Sequence, residues 1–138
     1  MYSFRHVAIS VSDVDQSIAF YHHLGFEPWR DYQADDGSLA ITHLRNGHMV
    51  LELFQYKNSQ PAPDFIHDTD TDLPVIGTKH FGLGVDSLEE ARADLTAKGL
   101  ADRLGPSKPA RTGPMSYFFV TDPDGILVEI WGDEQAKP

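Results

Sequence analysis

Apolar and polar residues alternate from Phe4 to Val11 in a stretch rich in Val and Ile, which predicts a strand over residues 4–11. The period then changes. Val14, Ile18, Tyr21 and Leu24 recur at helical spacing. Ser12 and Asp13 are good N-caps, Asp13 and Gln16 have capping-box spacing, and Gly25 is placed to stop the helix in a left-handed conformation. Three short strands are predicted next, at about residues 27–32, 39–44 and 48–54. Turn signals at Asp35-Asp36-Gly37 and Asn46-Gly47 separate them.

Residues 57–78 interrupt this pattern. Pro61, Pro63 and Pro74, with the acidic run Asp68, Asp70 and Asp72, read as a linker with solvated acids; no Gly sits where a Ca²⁺ loop would want one. The pattern then starts again. A strand is predicted over 80–85, and Ser87 with Glu90 caps a helix carrying Leu88, Ala91, Leu95 and Lys98, which Gly99 ends. Residues 103–114 read as loop, 116–120 as strand, Asp122-Pro123-Asp124-Gly125 as a tight turn, and 126–131 as the last strand. The polar tail beyond Gly132 is expected to fray.

The restart is an internal repeat. RHVAISVSDVDQSIAFYHHLGF from Arg5 aligns without a gap on KHFGLGVDSLEEARADLTAKGL from Lys79, matching His6 with His80, Val11 with Val85 and Gly25 with Gly99. MVLELF from Met49 aligns on ILVEIW from Ile126, matching Glu52 with Glu129. The chain thus reads as one domain over residues 1–138, with a first module over 4–56, a linker over 57–78 and a second module over 79–132.

Composition narrows the function. The 138 residues, 41% hydrophobic and 23% charged, suit one globular domain. No apolar run approaches the ~20 residues of a membrane span, and the opening MYSFRHV leads straight into a strand pattern, so neither a membrane segment nor a signal peptide is expected. Cysteine is absent, which excludes disulfides and thiolate chemistry and fits a cytoplasmic protein. A formal net charge of −10 argues against nucleic acid and admits anionic small substrates only where local basic residues focus them.

Strand alternation sorts the chemistry. His6 shares a face with Ala8 and Ser10, and His80 with Gly82 and Gly84, so both histidines point where small residues leave room. Glu52 lies between Val50 and Phe54 on its face, and Glu129 between Leu127 and Trp131. A carboxylate in such company is costly to bury unless it is paired or binds a metal. One His or one Glu would read as packing or surface; two of each at matching positions read as a metal site. His22, His23, His43, His48 and His67 have no repeat partner and read as surface or packing residues.

With SIAFYHHLGF and the closing FFVTDPDGILVEIW, residues 4–131 resemble the vicinal oxygen chelate superfamily, which includes glyoxalase I, extradiol dioxygenases, methylmalonyl-CoA epimerase and antibiotic-resistance proteins. The resemblance implies an α+β fold of two tandem βαβββ modules whose mixed sheets curl into a metal cleft. It implies His6, Glu52, His80 and Glu129 as ligands of one divalent ion (Ni, Co, Zn, Mn or Fe), a set like that of bacterial glyoxalase I, where epimerases usually carry Gln at the Glu52 position. It implies a lactoylglutathione lyase-like isomerase or lyase that moves a proton through a metal-bound enediolate of a small α-oxygenated substrate, with Glu129 and Glu52 as the catalytic carboxylates and Glu129 the preferred base. A homodimer is expected on the same ground. Phe54 and Trp131 are candidate substrate-binding residues, as are Lys108 and Arg111 in the 103–114 loop; Tyr117 is a further cleft candidate and Phe119 is expected in the core. Members that use glutathione commonly have an Arg four residues after the first ligand and an Asn four residues after the second. Ser10 and Tyr56 stand there, so glutathione is not the expected cosubstrate. LELFQYKNSQPAP looks like a glyoxalase-like branch of bacterial proteins with an ELF segment before a Pro-containing loop. The alternatives are an Fe(II)-dependent dioxygenase of the same superfamily and a non-catalytic drug-binding protein.

Overall fold

The computed structural model describes residues 1–134. It divides into two compact units, Met1–Ala62 and the chain from Pro63 onward. The first contains β1 (His6–Ser10), α1 (Val14–His23), β2 (Glu27–Gln33), β3 (Leu39–Asn46) and β4 (Met49–Tyr56). They form a four-stranded mixed sheet in the order β1-β4-β3-β2, with β1 parallel to β4 and the other pairs antiparallel.

The local signals act as expected. The Asp13 carboxylate accepts the amides of Asp15 and Gln16, capping α1. The Gln16 side-chain amide bonds that same carboxylate, not the cap's backbone. Gly25 takes φ +86°, and the Leu24 and Gly25 amides close on the last-turn carbonyls of Tyr21 and His22. At the 35–37 turn, hydrogen bonds from Ser38, its hydroxyl first and its amide second, hold the Asp36 carboxyl below its ordinary pKa.

The buried row of α1 is Ser17, Phe20 and Tyr21, while Val14 and Ile18 are only half-buried. Ser17 tolerates burial because its hydroxyl donates to the Asp13 carbonyl at 3.1 Å. Phe20, Tyr21 and Phe26 stack edge to face, at centroid distances of 5.0 and 6.1 Å. The opposing sheet face supplies Leu44, Leu51 and Leu53, all fully buried.

The second unit repeats the plan. After a 3₁₀ turn at Asp64–His67 and a single helical turn α2 (Thr69–Asp72) come β5 (Phe81–Val85), α3 (Leu88–Ala97), a 3₁₀ turn at Ala101–Arg103, β6 (Lys108–Pro109), β7 (Ser116–Thr121) and β8 (Leu127–Gly132). The sheet order is β5-β8-β7-β6, with β5 parallel to β8. Ser87 caps α3 through the Glu90 amide. Phe118, Val120, Val128 and Ile130 face inward with Leu88 and Leu95.

Three expectations are corrected. The acidic run is not all solvated: Asp68 caps α2, and Asp72 is buried against Lys79 Nζ at 3.0 Å. The 103–114 loop contains β6, whose Pro109 sits on the sheet edge where its missing N–H does no harm. The chain past Gly132 is held at first, since the Asp133 and Glu134 carbonyls accept the Leu88 and Glu89 amides at the start of α3. The remainder of the expected frayed tail, residues 135–138, lies outside the described residues.

Candidate functional site

In each unit one sheet face packs against a helix and the other carries the histidine and the glutamate. On that face of the first sheet, parallel pairing sets Ala8 beside Glu52; on the second, the same pairing sets Gly82 beside Glu129. Each small residue leaves room for the carboxylate. A Cβ on Gly82 would stand 3.3 Å from Glu129 Oε2.

Each carboxylate meets its histidine at nearly the same separation. His6 Nε2 lies 3.7 Å from Glu52 Oε1, and His80 Nε2 lies 3.6 Å from Glu129 Oε2. These distances are too long for hydrogen bonds. They are near the ~3–3.5 Å between two donors that each stand about 2.1 Å from a shared ion. Imidazole nitrogen with carboxylate oxygen is also a donor set that suits Zn, Ni, Co, Mn or Fe. The residues therefore fit a divalent metal as two matched pairs; among the described residues no group of three or more His, Asp or Glu is arranged as a complete site.

The first pair has a partner that the sequence reading assigned to packing or surface. Antiparallel register puts His43 directly across from Glu52, and His43 Nε2 lies 2.5 Å from Glu52 Oε2. His43 Nδ1 is buried with no hydrogen-bond partner among the described residues. The signal was available in the Asn46-Gly47 turn: with Asn46 paired to Met49, the residue three before Asn46 must face the residue three after Met49. Of the other histidines without a counterpart in the repeat, His67 packs its ring on Gly125, with Nδ1 3.1 Å from the Gly125 carbonyl, and His22 pairs with Glu27 on the surface.

The second pair opens on a cleft of about 800 Å³. His80, Glu129, Trp131, Lys108 and Arg111 all line it, so the candidate substrate contacts of this unit converge. Lys108 reaches the cleft because β6 pairs it with Tyr117. Phe119 was expected in the core; it is half-buried, lines the cleft and stands edge-on to His80 at a centroid distance of 4.9 Å. Alternation along β7 explains this, since Phe118 takes the buried face and Phe119 the face of Glu129. Phe54 is in the first unit, on the Glu52 face, between Ser10 and Ile41. Ser10 and Tyr56 line a separate hollow of about 420 Å³ whose one cation among the described residues is Lys57.

Several known proteins are similar to this chain. The protein YwkD of Bacillus subtilis is 33% identical over 134 residues, covering 94% of this chain and 95% of its own. Lactoylglutathione lyase of Schizosaccharomyces pombe is 26% identical across 99% of this chain, which spans about half (49%) of that enzyme. A glyoxalase family protein from Enterococcus faecalis superposes with a TM-score of 0.76 at 24% identity, over 94% of this chain and 96% of its own, a likeness of fold. The family model for the Glyoxalase/Bleomycin resistance protein/Dioxygenase superfamily matches residues 3–130, and the chain belongs to that superfamily.

Proposed function

We propose that this protein is a divalent-metal-dependent isomerase or lyase of the glyoxalase I type, acting on a small α-oxygenated substrate. The observation that carries the reading is the duplicated His–Glu pair, 3.7 Å apart in one module and 3.6 Å in the other. His6 with Glu52, and His80 with Glu129, would hold the metal, each pair giving two donors. When bound, a divalent ion supplies electrophilic stabilisation of the negative charge that develops on substrate oxygens as a carbon-bound proton leaves.

The two carboxylates are not equivalent, and the difference supports distinct roles. Glu52 is tethered by His43, which fixes its orientation. Glu129 has only the distant His80 beside it among the described residues, and it opens on the cleft next to the side-chain-free Gly82. A carboxylate that moves a proton between adjacent carbons must swing, so Glu129 is the base and Glu52 the fixed group. Trp131 and Phe119 flank it in the cleft, while Lys108 and Arg111 orient the substrate. The proposed assembly is a homodimer in the cytoplasm; among the described residues, no helix is long and apolar enough to cross a membrane.

The test is metal content of protein purified without chelator, beside His6→Ala and His80→Ala variants, followed by α-proton exchange of hydroxyacetone in D₂O monitored by NMR. About one divalent ion per site, lost in the variants, with exchange that depends on it, supports the reading. No binding after reconstitution with Ni, Co, Zn, Mn or Fe overturns it. Oxygen uptake by the iron form with a catechol, in place of exchange, identifies a dioxygenase instead.

A further inference from the structure

Trp29 is the extra residue of a bulge in β2, where pairing with β3 shifts between Pro28–Leu44 and Arg30–His43. Bulges re-aim side chains next to functional sites. Here three guanidinium groups gather on the Trp29 ring. Their Cζ atoms lie 4.1 Å (Arg30), 5.5 Å (Arg45) and 5.8 Å (Arg5) from its centroid. Trp29 also stands 6.3 Å from the His43 ring, whose Nε2 holds Glu52. The cluster is thus two side chains from the proposed metal ligand.

Three like charges at one ring are unexpected in a chain of net charge −10. None of the three has a carboxylate partner among the described residues. Arg45 Nε donates to the Gly47 carbonyl, and Glu27, opposite Arg45 in register, is paired instead with His22. The ring faces offset part of the mutual repulsion, and an anion would offset far more. Arg30, its Cζ 4.1 Å over the Trp29 ring, carries a planar fork of N–H donors that matches the two oxygens of a planar carboxylate.

We infer that Arg30, Arg45 and Arg5 around Trp29 form a subsite for a carboxylate carried by the substrate at a distance from its reacting oxygens. This rests on the proposed function and names its substrate class: a small α-oxygenated compound with a remote carboxylate.

The experiment is calorimetric titration, at constant ionic strength, with 2-oxoglutarate and with 2-oxopentanoate, which has the same 2-oxo acid end and no remote carboxylate. The native protein should bind 2-oxoglutarate about tenfold more tightly or better, as charge-assisted bonds predict. Arg30→Met, and more fully Arg30→Met with Arg45→Met, should abolish that preference and leave 2-oxopentanoate affinity unchanged. Both arginines are exposed, and Arg30→Met alone leaves the Arg45–Gly47 bond intact if the double variant is unstable. Equal affinities, no binding of either acid, or a preference that survives in Arg30→Met and the double variant overturns the inference. Repeating the titration after chelator treatment separates the two readings. A preference that persists while metal proves irrelevant to both acids sinks the metal reading and keeps the subsite.

Discussion

His43 and Glu52 face each other across the β3–β4 hairpin with Nε2 and Oε2 2.5 Å apart, and the other oxygen of Glu52 is the one nearest His6. One carboxylate is therefore divided between a positioning histidine and a candidate metal-binding histidine. Histidines and carboxylates placed behind ligands in this way set both orientation and affinity. His43→Ala is expected to weaken metal affinity about 10–100-fold, and His43→Gln, which retains an N–H donor, to recover part of it. Competition with a chromophoric chelator measures this directly; unchanged affinity in His43→Ala would show that the contact has no bearing on metal.

The carboxylates should separate in kinetics. Glu129→Gln is expected to lower hydroxyacetone exchange by about 10²–10⁴-fold while metal is still retained, since an amide oxygen can bind an ion but cannot take a proton. Glu52→Gln should act mainly through metal occupancy, with exchange per bound metal nearer the native value. Rates normalised to metal content decide between this and the reversed assignment.

Gly82 offers a graded steric test. A Cβ there would sit 3.3 Å from Glu129 Oε2, so Gly82→Ala requires a shift of tenths of an ångström and Gly82→Val displaces the carboxylate. Exchange activity should fall in that order. Thermal melting should change little for Gly82→Ala, because the only close neighbour is the end of a side chain.

Gly132 differs because its neighbour is backbone. A Cβ would lie 2.3 Å from the Val85 carbonyl oxygen, in the parallel β5–β8 pair. Gly132→Ala is expected to destabilise the protein by about 1–3 kcal/mol through overpacking. A shift in the urea midpoint at constant slope would register it.

Asp122 is buried, and its Oδ1 accepts the amides of Asp124 and Ile126, both at 2.8 Å. Asp122→Ala leaves both donors without that partner and should cost about 1–3 kcal/mol or more. It should also loosen the turn that sets the register of β8 and hence of Glu129, so exchange activity should fall with stability. Full activity in a destabilised variant would separate the turn from the site.

The sequence by itself determined the repeat, the caps at Asp13 and Ser87, the turns and the strand faces, because each is a local property of period, capping chemistry or backbone preference. It therefore also singled out His6, Glu52, His80 and Glu129 as candidates, and alternation put each histidine on the same sheet face as its glutamate. Apart from His43 and Glu52, whose meeting the Asn46-Gly47 turn signals through hairpin register, only the tertiary structure decided which residues of different strands meet. Trp29 collects three arginines through a bulge, and Lys108 enters the cleft because a two-residue edge strand pairs with Tyr117. Ser17 is buried, against its polarity, because one hydrogen bond to Asp13 satisfies it. Pairing between strands depends on register and packing summed over many residues, and no single residue type records it along the chain.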